Sequence, residues 1–188
     1  MIFIRSIVVV GTLITMALLN GCGNEGSAGG NTVYLTASIK DQTSMSIFTN
    51  ISTANASKLY NPQSLQYTVK SNIYPGSTKI LPSDVNIDTV TFNFSGLPFD
   101  STNVPSPDLS PKSFVKTNGF KVPAGGSNDV SLISLEGMQL NTLAQNPNLP
   151  ARPVRLRYTV DVLFSGREIL TNQPVSCSTS AMVYVDVH

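Results

Sequence analysis

The sequence predicts an all-β domain, a β-sandwich of seven to nine short strands. Three observations predict it. Apolar and polar residues alternate with a period of two in six separate runs. No stretch beyond residue 32 sustains an apolar period of 3.6. Turn sequences rich in Pro and Gly separate the runs.

The runs follow in chain order. Val33, Leu35, Ala37 and Ile39 alternate with Tyr34, Thr36, Ser38 and Lys40, a strand with one buried face. Leu65, Tyr67 and Val69 repeat the pattern. Residues 86–94 are rich in β-branched and aromatic side chains, with Val90, Phe92 and Phe94 sharing a face. Val130, Leu132 and Ser134 alternate less cleanly with Ser131, Ile133 and Leu135, as expected of a strand apolar on both sides. Residues 154–164 give the strongest alternation, through Val154, Leu156, Tyr158, Val160, Val162 and Phe164. Ala181, Val183, Val185 and Val187 make a terminal strand. Shorter candidates lie at 45–51, 113–122 and 168–171. Asn61-Pro62, Tyr74-Pro75-Gly76, Pro82-Ser83-Asp84, Pro123-Ala124-Gly125-Gly126 and Ser165-Gly166 read as breakers. Residues 137–150 offer one helical turn through Leu140, Leu143 and Ala144. The strands occupy 33–188, a length suited to one sandwich with long loops, since two half-sized domains would each bury too little.

The first 32 residues carry different information. Arg5 precedes the apolar stretch IVVVGTLITMALL at 7–19. As a helix it would span about 20 Å, short of the ~30 Å hydrocarbon core, so it reads as a secretory signal rather than a membrane span. Leu19-Asn20-Gly21-Cys22 then resembles the lipobox of bacterial lipoproteins: Leu three positions before the cysteine, a small residue directly before it, and Cys as first mature residue. Asn20 departs from the small or β-branched residue usual at its position. The resemblance implies that residues 1–21 are a lipoprotein signal peptide and that Cys22 is the lipidation site, carrying a diacylglyceryl group and in many bacteria a further acyl chain on its amine. One acyl chain holds a protein only marginally on a bilayer, whereas two or three anchor it stably. Residues 22–32, GNEGSAGGNT after the cysteine, lack large apolar side chains and read as a flexible tether with a coil reach of about 17–19 Å. Gly23 stands where some inner-membrane lipoproteins carry Asp, so the same resemblance implies the outer membrane.

A second resemblance is local. The expected helical turn near Leu143, followed by a long strand bearing Tyr158-Thr159-Val160, is similar to the approach to strand F in immunoglobulin-like and fibronectin type III domains. It implies a Greek-key sandwich of immunoglobulin-like type. Trp is absent and no inter-sheet cysteine pair exists, and the likeness implies nothing about function.

Charge narrows the function. Only 12% of residues are charged and the formal net charge is +1, too little clustered positive charge for nucleic acid. The single histidine is the last residue, His188, which argues against a His-based metal site or catalytic triad. Cys177 shares the parity of Ala181 and Val183 and reads as a buried thiol. Arg152, Arg155, Arg157 and Arg167 fall close together; they could form a small anion- or carboxylate-binding patch, but a solvated sheet face with Asp161 as a partner is expected. Asp100 and Asp108 lie in a Pro/Ser-rich loop without the dense acidic ladder of a calcium site. Tyr60 and Tyr74, near loop ends, are the candidates for stacking on a sugar. Gly125-Gly126 lacks the strand and helix context of a phosphate loop. No catalytic residue, cofactor or metal site is expected.

The sequence therefore points to a non-enzymatic lipoprotein of the bacterial cell envelope. It is held in the membrane through Cys22, the outer membrane being preferred, and it presents a structural or interaction module to an envelope or extracellular protein. The alternative is a carbohydrate- or small-ligand-binding lipoprotein.

Overall fold

A computed structural model describes residues 31–40, 46–52, 59–75, 81–99, 103–149 and 153–188. Cys22, Asp100 and Arg152 lie outside the described residues. The described chain is all-β with one short helix. In order it forms β1 (Val33–Ile39), β2 (Ser46–Ile51), β3 (Gln63–Ile73), β4 (Val85–Phe99), β5 (Val104–Pro105), β6 (Ser113–Val122), β7 (Ser127–Leu135), α1 (Gly137–Ala144), β8 (Val154–Glu168) and β9 (Pro174–Val187).

Two open sheets result. One has the order β1-β3-β7 and is antiparallel throughout. The other runs β2-β9-β8-β4, with β5 and β6 also paired to β4. Within it β2 runs parallel to β9, whereas β8 is antiparallel to both β4 and β9. The strands form because their apolar residues recur at alternate positions. Leu156, Tyr158, Val160, Val162 and Phe164 are all fully buried, while Arg155, Arg157, Asp161 and Leu163 between them are exposed. Both sheets contribute to one buried cluster, in which Tyr67 of β3 meets Phe164 of β8 edge to face at 5.6 Å. Burying each such side chain is worth about 1.5–3 kcal/mol.

Two local departures from alternation have identifiable causes. In β4 the register shifts between Ile87 and Thr89, so that Ile87 and Val90, three positions apart, both face inward. Ser165-Gly166, expected to break the chain, instead lies within β8 opposite this irregularity. A Cβ on Gly166 would stand 2.0 Å from Asn86 O, so the backbones approach each other there as only glycine permits. In β7, a shift opposite Gln63 and Ser64 leaves both Ser134 and Leu135 buried, which accounts for the mixed alternation of that segment.

Residues 168–171, a candidate strand by composition, form the turn joining β8 to β9. Asn172 N–H donates to Glu168 O at 2.9 Å, and Asn172 adopts φ of 56° to close the loop. α1 buries Leu140, Leu143 and Ala144, the expected face. Glu136 and Gln139 cap its start reciprocally.

Candidate interaction surface

The ends of the domain are fixed by different means. At one end, Glu168 is buried and its carboxylate gathers the start of β1. Oε1 accepts the backbone N–H groups of Thr32 at 2.6 Å and Val33 at 3.0 Å. Oε2 accepts the hydroxyls of Thr32 at 3.1 Å and Thr171 at 2.5 Å. Thr32 Oγ1 in turn accepts Ser83 N–H at 3.0 Å, so three separate chain segments meet at this point. Sequence reading missed Glu168, because an isolated acid carries no motif and its partners lie 136 and 135 residues away. At the other end, Glu136, at the start of α1, pairs with Lys116 at 2.8 Å, and Gln139 donates to Pro111 O at 2.8 Å.

The arginines are engaged by their own neighbours. Arg155 makes two hydrogen bonds to Asp186, at 2.6 and 2.9 Å, and lies over the Tyr184 ring. This partner holds the Asp186 carboxyl below its ordinary range. Arg157 donates through Nε and Nη2 to Pro98 O, and Arg167 donates to Asn172 O at 3.2 Å. Asp161 accepts the Ser180 hydroxyl, not an arginine. Asp108 pairs with Lys112 at 2.7 Å on the surface. Among the described residues, no group of three His, Cys, Asp or Glu side chains could hold a metal ion.

Cys177 is fully buried opposite Phe164, within the core. Two tyrosines share that interior. Burial raises the Tyr67 hydroxyl to about 12, although Ser134 Oγ at 2.7 Å favours the ionised form. Tyr158 is pushed up by burial as well, and donates to Pro107 O at 2.7 Å. Of the two loop tyrosines, Tyr60 is tied down: its hydroxyl accepts Ser52 N–H at 2.9 Å. Tyr74 packs against Tyr34 at 5.1 Å between ring centres. The pair lines a shallow surface depression of only about 10 Å³ between the start of β1 and Val175 and Ser176 of β9.

Each sheet leaves two edges: among the described residues β1 is bonded only to β3 and β2 only to β9, and the other two edges lie at β7 and β6. β6 is bonded only to β4 and β7 only to β3 among the described residues. The turn at 123–126, closed by Gly126 N–H to Pro123 O, carries the chain directly from β6 to β7, so these two edges lie on the same side. Ten and nine residues of strand are thereby presented. Thr117 and Val115 are exposed on β6, and Asp129 and Ser131 on β7. Lys116, folded over the Phe114 ring and paired with Glu136, and Lys121, paired with Asp84 at 2.6 Å, place two ion pairs beside β6. Near the turn, Asn128 Nδ2 of β7 donates to Lys121 O of β6 at 2.8 Å, so that end of the β6 edge is occupied and the open backbone lies farther from the turn. Edge status depends on which strands pair, so alternation alone could not reveal it.

The described residues thus define an all-β protein with two open sheets around one core. No family model and no curated protein matches the chain. Among solved structures, the sporulation control protein Spo0M of Bacillus subtilis aligns with a TM-score of 0.35 and 10% identity, covering 85% of this chain and 51% of that one. This chain thus spans about half the length of that structure. No helix among the described residues is long and apolar enough to cross a membrane.

Proposed function

We propose that this chain is a non-enzymatic lipoprotein of the bacterial cell envelope. It is anchored through Cys22, in the outer membrane by preference, and its domain docks an envelope or extracellular protein by strand addition along the β6 and β7 edges. The observation that carries the docking mode is the adjacency of two open strand edges on one side of the molecule. The anchor is supported by Leu19-Asn20-Gly21-Cys22 after the apolar stretch at 7–19.

The domain reads as an immunoglobulin-like Greek-key sandwich. Supporting this, β1, β3 and β7 occupy one sheet in the order of strands A, B and E. In the other sheet β4, β8 and β9 are neighbours as C, F and G are, and α1 falls between the counterparts of E and F. The Tyr158 hydroxyl bonds Pro107 O, far upstream, rather than a residue just before its strand, and so departs from the tyrosine corner of that family.

Site-specific photocrosslinking in cells tests the docking mode. Crosslinkers at Thr117 and Ser131 are expected to capture one common partner, and a crosslinker at Leu163, exposed on the outer face of β8, to capture none. Equal yields from all three positions, or none from the edges, would refute it. The Tyr34–Tyr74 cleft favours a second reading, a carbohydrate-binding module, since paired rings can stack on a sugar face. Calorimetry with oligosaccharides decides it: that reading requires binding that Tyr74→Ala abolishes.

A further inference from the structure

The end of the domain that receives the N-terminal chain also carries exposed large apolar residues. Leu81 is 79% exposed, Leu170 68% and Ile169 53%. They come from two distant segments, yet the same hydrogen-bond network holds both. Ile169 N–H donates to Asp84 O at 2.8 Å and Leu170 N–H to Ser83 Oγ at 2.9 Å. Ser83 N–H reaches Thr32 Oγ1, and Thr32 is bound to Glu168, the residue preceding Ile169. The three apolar side chains therefore sit on a braced tip beside the point where the chain from Cys22 enters. Bracing matters, because a patch whose backbone is already satisfied can meet an apolar phase without exposing unpaired N–H or C=O groups.

We propose that Leu81, Ile169 and Leu170 rest in the interface of the bilayer to which Cys22 is attached, so that the domain stands on the membrane by this tip. The inference rests on the lipoprotein reading above and names the second surface that the protein contacts. Residues 23–30 are all that separate Cys22 from Asn31, and even fully extended they reach at most about 30 Å. The tip is therefore the part of the domain held nearest the lipid. The opposite end also exposes Leu59 and Met138, but β8 runs 15 residues from one end to the other, placing that end about 45 Å from the entry point. Arg167, on the exposed face of β8 just before the tip, has an aliphatic stem and a charged head suited to the headgroup layer.

The native chain contains no tryptophan, so a single substitution creates a depth reporter. Full-length Leu170→Trp and Met138→Trp are expressed in a bacterial host, purified and reconstituted into phosphatidylcholine and phosphatidylglycerol vesicles with nitroxide-labelled acyl chains. Leu170→Trp emission is expected to shift to the blue and fall by about half or more, as for a side chain in the interface, while Met138→Trp is unchanged. Leu81→Trp approaches the same tip from a different segment and is expected to behave like Leu170→Trp. This guards against a local misfolding artefact. Flotation of the protein with the vesicles while the tip and distal reporters are quenched equally would overturn the tip contact and leave the anchor standing. Failure to float, with Cys22 unmodified by mass spectrometry, would overturn both.

Discussion

Replacing Glu168 by alanine tests whether the buried carboxylate is what holds the entry of the chain to the body of the domain. The substitution removes the acceptor of two backbone N–H groups, Thr32 at 2.6 Å and Val33 at 3.0 Å, and of two threonine hydroxyls. The hydroxyls can rotate toward other oxygens; the two amides cannot. A hydrogen bond to a charged group contributes about 1.5–3 kcal/mol, so the pair of amides sets a gross loss of about 3–6 kcal/mol. Part is returned, because alanine no longer requires a carboxylate to be stripped of water. A net loss of about 2–4 kcal/mol remains, a large share of the roughly 5–15 kcal/mol that stabilises a typical domain. At about 2–4 °C per kcal/mol for a domain of this size, the midpoint should fall by roughly 5–15 °C. Glu168→Gln is the informative partner. Its carbonyl oxygen still accepts Thr32 and Val33 N–H, and its amide can donate to the threonine oxygens, so it should lose about 1 kcal/mol or less. Thermal and urea melts of the two variants give the comparison. Hydrogen exchange at Thr32 and Val33 locates the effect, with protection lost in Glu168→Ala and largely kept in Glu168→Gln. Wild-type melting of Glu168→Ala, or equal losses for both variants, would refute the reasoning.

Other consequences follow from the same structure. Gly166→Ala would drive a Cβ to within 2.0 Å of Asn86 O and 2.8 Å of Ile87 Cα, so it should cost at least about 3 kcal/mol in urea melts; Gly119→Ala, with nothing within 4 Å, should change stability little. Cys177, fully buried, should react slowly with a thiol reagent in the native protein and rapidly in denaturant, and comparable rates in both would show that the strand exposes it. The stability contributed by burying Tyr67 should be fully present below pH 10 and decline above it, because unfolded tyrosine ionises at about 10 whereas Tyr67 is held to about 12; that contribution approaches about 3 kcal/mol, and the tyrosinate absorbance of Tyr67 and Tyr158 should appear only with unfolding. Cys22→Ser should abolish lipid attachment, read by mass spectrometry of the mature N-terminus, and an unmodified Cys22 in the wild type would remove the anchor altogether.

What alternation conveys is which face of a strand is wet, and here it did so well. The inward set of β8 follows directly from it, while the span 113–122, a shorter candidate without clean alternation, is the strand β6. What it cannot convey is whatever depends on a partner strand. Ser165-Gly166 looks like a stop in its own window, yet it continues β8 because the irregularity it accommodates lies in β4, about 80 residues earlier. Glu168 suffers from the same blindness, since nothing in residues 165–171 indicates that the donors will come from Thr32 and Val33. The open edges of β6 and β7 are a property of pairing, not of composition. The proposed anchor is the reverse case. Leu19-Asn20-Gly21-Cys22 is legible only as sequence, because Cys22 lies outside the described residues.

Glu168 links these two kinds of information. Its carboxylate decides where the chain from Cys22 stops being a connection and becomes part of β1. Each residue released from that clamp would add up to about 3.5 Å to the reach between bilayer and domain. Freeing Asn31, Thr32 and Val33 would therefore lengthen an ~30 Å connection by about a third. The same loss would loosen the contact between Thr32 and Ser83 that braces Leu81, Ile169 and Leu170. With the chain anchored as proposed, stand-off from the membrane and rigidity of the apolar tip would both be set by one side chain. Glu168→Ala should accordingly weaken the tip's quenching by nitroxide lipid in the Leu170→Trp background even at temperatures where the rest of the domain remains folded.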